Sequence, residues 1–116
     1  MKKIYYLSSC STCTRIMREL KIDDSFEQQN IKENKITKKQ LEEMKQLAGS
    51  YEALFSRKAM LFRSMGLHEK QLTENDYKKL ILEQYTFLKR PVILINNQIF
   101  IGNTKATIEK AREAIQ

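Results

Sequence analysis

Ile4-Tyr5-Tyr6-Leu7-Ser8-Ser9-Cys10-Ser11-Thr12-Cys13 opens with a short apolar run and ends on two cysteines spaced C-x-x-C, the only cysteines in the 116-residue chain. The apolar run reads as a strand. Ile16, Met17 and Leu20 follow at helical spacing, so both thiols lie where a strand hands over to a helix. A thiol at a helix N-terminus faces unpaired backbone N–H groups and the positive end of the helix dipole. Both favour the thiolate, which is the reactive species. Two thiols at this spacing can also close into a disulfide, so the second can release whatever the first has bonded. The pattern points to a thiol-redox site.

Other readings of the cysteines fit less well. Zinc takes about four ligands, and the chain offers two cysteines and a distant His68 in a polar stretch. No single-chain metal site is expected, and His68 reads as a solvated loop residue. The spacing of Arg15 from either cysteine does not match a phosphatase-like thiolate loop. A merely structural pair is the remaining alternative, although buried structural cysteines rarely pair in this way beside a strand-to-helix junction.

A chain of this length fits one compact domain with a modest core, and 41% hydrophobic with 30% charged residues describes a soluble globule. No apolar run approaches the ~20 residues of a membrane span, so no membrane partner is expected. Met1-Lys2-Lys3 precedes an apolar run too short for a secretory signal. The expected location is therefore cytoplasmic, where such a pair is more often catalytic or redox-sensing than a permanent staple. The net charge of +7 and pI near 9.5 raise affinity for polyanions. The lysines are nevertheless interleaved with glutamates, as in Lys38-Lys39-Gln40-Leu41-Glu42-Glu43-Met44-Lys45, which marks a solvated helix face. No aromatics alternate with arginines to stack bases. No direct nucleic-acid binding is expected, and the positive balance suits an anionic thiol or a small oxyanion.

Working outward from the cysteines, the chain reads strand 3–7, helix about 11–21 and strand about 25–31, the last resting on Phe26 and Ile31. This β-α-β opening argues for neighbouring parallel strands joined by a right-handed crossover. The middle, about 37–86, reads helical. Thr37 and Gln40 form a capping-box pattern before Leu41, Met44, Leu47 and Ala48, and Gly49-Ser50 ends that helix. A further helical stretch carries Leu54, Ala59, Phe62 and Met65 as core and stops at Gly66. Thr73-Glu74-Asn75-Asp76 caps another helix with Tyr77, Leu80, Ile81 and Tyr85. Val92–Ile95, Asn96-Asn97 and Gln98–Ile101 read as a hairpin with a two-residue turn. Gly102-Asn103-Thr104 then leads into a last helix with Ile108, Ala111 and Ile115 on one face. The expected fold is α/β: a thioredoxin-like core, β-α-β then β-β-α around a mixed sheet, with an inserted all-helical lobe, in a single domain spanning 1–116.

The N-terminal strand with its Cys-x-x-Cys, the all-helical middle, Lys89-Arg90-Pro91-Val92 before the hairpin and the Gly102 turn after it together resemble the ArsC/Spx family. That family groups glutaredoxin-coupled arsenate reductases with Spx-type transcription regulators, and the resemblance covers essentially the full length. It implies that Cys10 is the nucleophile and Cys13 the second cysteine of an Spx-type redox switch. It implies an active-site role for Arg57 and Arg90, and a cis peptide at Pro91. Ser11 and Thr12 would shape the thiol loop, while Gly102 and Asn103 would stand where the reductases place a glycine and a third arginine. Planar guanidinium forks would lower the Cys10 pKa and hold an oxyanion. The missing third arginine removes a charge-assisted contact of about 1.5–3 kcal/mol, more than tenfold in oxyanion affinity. Lys105 lies nearby but is a point charge without the bidentate geometry.

Three functions follow as expectations. The first is a thiol-disulfide oxidoreductase acting on a small oxyanion or a disulfide, holding no bound cofactor and drawing on glutathione, glutaredoxin or thioredoxin as reductant. The second is an Spx-type redox-sensing regulator that binds the RNA polymerase α-subunit. Gly49, eight residues before Arg57, matches a glycine that such regulators use, although reductases often share it. The chain stops at Gln116 without the longer C-terminal extension typical of those regulators, which favours the reductase-like reading. The third is an interaction module without chemistry.

Overall fold

A computed structural model describes all 116 residues. In chain order the elements are β1 (Lys2–Tyr6), α1 (Ser11–Glu19), β2 (Glu27–Asn30), α2 (Lys38–Ala48), α3 (Met60–Ser64), α4 (Glu74–Glu83), β3 (Val92–Ile95), β4 (Gln98–Ile101) and α5 (Lys105–Ile115). The chain separates into two compact units, 1–35 with 90–116 and 36–89.

The first unit is a four-stranded mixed sheet in the order β2-β1-β3-β4. β1 runs parallel to β2 and antiparallel to β3, so Ile4 sits opposite Gln28 on one side and Ile93 on the other. β3 and β4 form the expected hairpin, with Ile95 opposite Gln98. Asn96 enters the turn at φ 55, a left-handed conformation that asparagine tolerates better than other side chains. Ile4, Ile93 and Ile95 from the sheet meet Ile16 and Leu20 of the first helical segment, Ile108 and Ala111 of α5, and Phe26. Each fully buried branched side chain contributes about 1.5–3 kcal/mol relative to exposure. β2 itself is polar, Glu-Gln-Gln-Asn, and only its flanks Phe26 and Ile31 are buried hydrophobics.

The second unit is helical. Thr37 caps α2 by accepting from the Gln40 N–H at 3.1 Å, and the Gln40 carboxamide oxygen accepts from the Thr37 N–H at 3.1 Å. Gly49 ends that helix at φ 95, a left-handed conformation with little cost for glycine. Leu41 and Met44 are buried, whereas Leu47, expected on the same face, is 39% exposed.

The stretch expected as one helix through Leu54, Ala59, Phe62 and Met65 is interrupted. A 3-10 turn at Glu52–Leu54 gives way to extended backbone at Phe55, which pairs as an isolated β-bridge with Leu88. Ser56 N–H donates to the Phe87 carbonyl at 2.7 Å, and Lys89 N–H to the Leu54 carbonyl at 2.8 Å. Phe55 stacks on Phe87 and lies against Tyr77 and Phe62, with centroids 5.1, 4.8 and 6.0 Å away. The helix resumes only as the short α3, which starts at a 90% exposed Met60, and Met65 just after it, expected as core, is 44% exposed. Leu67 is buried in the following 3-10 turn. α4 begins with a second capping box, Thr73 with Asp76, and buries Tyr77, Leu80 and Ile81. Lys78 of α4 pairs with Glu42 of α2 at 2.9 Å.

Candidate thiol site

The chain leaves β1 at Tyr6, turns through Leu7-Ser8-Ser9 and enters α1 at Cys10. The Cys10 N–H donates to the Leu7 carbonyl at 3.0 Å, closing the turn. Cys10 is the N-cap residue of α1, with extended dihedrals of φ -92 and ψ 110. Its own carbonyl starts the helix by accepting from Thr14 N–H at 3.2 Å. No side-chain hydrogen bond caps the helix, so the first-turn N–H groups keep free donor capacity beside Cys10.

Both cysteines are free thiols. Cys10 is partly exposed and Cys13 is buried. Their acidities are driven apart. Burial alone would raise the Cys10 pKa. It is outweighed by the Cys13 backbone N–H, the Cys13 thiol, the positive charge of Arg90 and the Thr12 N–H, all of which hold Cys10 below the ordinary thiol value. Cys13 is pushed up to about 11, first by burial and then by the Cys10 sulfur accepting its proton and repelling a second negative charge. The outer sulfur is thus the more accessible and more acidic of the two, and the inner one the more enclosed and less acidic.

Arg90 stands just ahead of β3, and the Arg90–Pro91 peptide is cis. Its charge acts on both sulfurs. Its Nη1 is buried and has no hydrogen-bond partner within the protein. The Pro91 carbonyl accepts from Gly102 N–H at 2.9 Å, and Gly102 adopts φ 88. Asn103 follows it, exposed to solvent. Ser11 is exposed as the first residue of α1, and its carbonyl accepts from the Thr14 hydroxyl at 3.0 Å. The Thr12 backbone N–H is among the groups that lower the Cys10 pKa.

Comparison with protein-family models matches residues 5–111 to the ArsC family. The chain belongs to the ArsC family. A global transcriptional regulator named Spx 2 from Bacillus anthracis is 28% identical over 95% of this chain and 86% of its own length. An arsenate reductase from Vibrio cholerae superimposes with a TM-score of 0.73 at 21% identity, over 97% of this chain and 96% of the other. An ArsC-related protein from Brucella melitensis gives the same TM-score and identity, over 94% and 92%. These structural likenesses establish the thioredoxin-like ArsC fold.

Within this ArsC-family chain, Cys10, Cys13 and Arg90 come together in the sheet-containing unit, with Pro91 next to Arg90 in sequence. Arg57 belongs to the helical unit. Its guanidinium pairs with Glu52 at 2.7 Å, donates to the Tyr77 hydroxyl at 2.8 Å and lies over the Tyr77 ring. Glu52 raises its pKa, outweighing the lowering by burial, and the Tyr77 oxygen adds to the rise. A cavity of about 580 Å³ in that unit is lined by Arg57, Glu52, Phe62, His68, Lys70 and Tyr77, among others. His68 is exposed as expected, in a 3-10 turn, with its side chain 3.7 Å from Glu69. Sequence reasoning did not find Glu52 and Tyr77 as partners of Arg57, nor Asn30. Asn30 is buried at 7% exposure where the turn before Cys10 meets β2. The one available signal was a polar residue directly before Ile31 in an otherwise weak strand.

Proposed function

We propose that this protein is a thiol-disulfide oxidoreductase of the arsenate-reductase-like kind, with Cys10 as nucleophile and Cys13 as resolving thiol. The opposed acidities of the two sulfurs carry the reading. With a disulfide substrate, the Cys10 thiolate attacks one sulfur, forming a mixed disulfide and releasing the other sulfur as a thiolate. Cys13 then loses its proton and attacks the Cys10 sulfur, closing the Cys10–Cys13 disulfide and expelling the second substrate thiolate. The substrate gains two electrons, and the protein loses them. Glutathione, glutaredoxin or thioredoxin would return the dithiol.

The same thiolate would form a sulfur–arsenic bond with an oxyanion such as arsenate, one arsenate oxygen leaving as water after taking up protons. The unpaired Nη1 of Arg90 supports this, because a buried cationic donor without a partner favours an anion beside it. Arg57 enters as a second guanidinium on the family resemblance alone. In a dithiol-coupled assay, Cys10→Ser should abolish turnover, and Cys13→Ser should accumulate the mixed disulfide, read by intact mass. Retained turnover in Cys10→Ser would end this reading.

The Spx-named relatives, matched over most of the chain, favour a second reading: a redox-sensing regulator that contacts the RNA polymerase α-subunit. Binding to purified α-subunit that changes when Cys10 and Cys13 are oxidised would select it over turnover.

A further inference from the structure

Asn30 is the last residue of β2, and burying a carboxamide costs free energy unless its polar atoms are paired. Here the pairing is aimed at the turn that delivers the nucleophile. Asn30 Nδ2 donates to the Ser8 hydroxyl oxygen at 2.9 Å. Its Oδ1 faces the Ser8 N–H at 3.5 Å and accepts from the Lys32 N–H at 3.4 Å. The backbone on either side is fixed too: Ile31 N–H donates to the Tyr6 carbonyl at 2.9 Å, and Cys10 N–H to the Leu7 carbonyl at 3.0 Å. Three residues, Leu7-Ser8-Ser9, separate the end of β1 from Cys10, and the Asn30 side chain grips the middle one.

We propose that Asn30 is a positioning residue, clamping Ser8 so that the turn presents the Cys10 sulfur to the first turn of α1. The clamp rests on the thiolate reading above and adds a part to it. The sulfur is not fixed by covalent geometry alone, because Cys10 sits outside the helix as its N-cap. Its approach to the Thr12 and Cys13 N–H groups, which lower its pKa, depends on how the preceding turn is held. Asparagine suits the position because it offers a donor to the hydroxyl and an acceptor to two N–H groups at once; a carboxylate would supply only the acceptor.

The test is the pH profile of Cys10 alkylation by iodoacetamide, followed by peptide mass spectrometry on the full chain, in wild type, Asn30→Ala and Ser8→Ala. Ser8 is exposed, and its replacement deletes only the hydroxyl side of the clamp. Both variants should raise the alkylation midpoint by about half to one unit, which slows alkylation about threefold to tenfold at a pH well below the wild-type midpoint. The double variant should add nothing further. If Asn30→Ala does not fold, Ser8→Ala alone decides. A low wild-type midpoint left unchanged by Ser8→Ala overturns the clamp while leaving the thiolate reading intact. A wild-type midpoint at the free-thiol value removes both.

Discussion

At the residue scale, the site is built on asymmetry between two identical side chains. Cys10 and Cys13 differ in acidity because one is a partly exposed N-cap and the other is buried. Asn103 marks a second asymmetry, between this chain and the reductases it resembles. An arginine there would restore a forked donor beside the Gly102 turn. Asn103→Arg should therefore lower the KM for arsenate by about tenfold or more, the factor that a charge-assisted hydrogen bond of about 1.5–3 kcal/mol supplies. Initial-rate kinetics with arsenate checks this. An unchanged KM would mean that the turn points the side chain elsewhere.

At the element scale, local chemistry decides some boundaries and distant partners decide others. Thr37 and Gln40 satisfy each other's backbone N–H groups at the start of α2, so Thr37→Ala should cost about 1 kcal/mol. The expected readout is a lower denaturant midpoint with an unchanged slope. That helix start was legible because every participant lies within one turn. The hairpin was legible for the same reason, since Asn96-Asn97 separates two apolar runs. The break at Phe55 was not. Its cause is the bridge to Leu88 and the stack on Phe87, partners over thirty positions away that no local period reports. Met65 was misassigned to the core for that reason, because the interruption shifts the phase of everything that follows. Cys10, Cys13 and Arg90 were readable from spacing and family resemblance. Asn30 was hidden because its role lies in the strand-to-turn contact and not in its neighbours.

At the scale of the whole molecule, the two thiols make stability depend on pH in opposite directions. An ordinary unfolded thiol titrates near ~8.5. Cys10 is more acidic in the folded protein, so its contribution is present above ~8.5 and is lost as pH falls through its lowered folded value. Cys13 is less acidic, at about 11. Its contribution is present below ~8.5 and is lost as pH rises through about 11. The reduced protein should show a thiol-dependent stability maximum near pH ~8.5. Thermal melts across pH should lose the alkaline decline in Cys13→Ser and the acidic decline in Cys10→Ser, each relative to wild type.

The composition of β2 has its own consequence. Glu27, Gln28 and Gln29 line the outermost strand of the sheet, and Lys3 of its neighbour ties down Glu27 at 2.7 Å. A rim this short and hydrophilic makes a poor template for stacking against another chain, so the sheet can end there in open water without inviting aggregation.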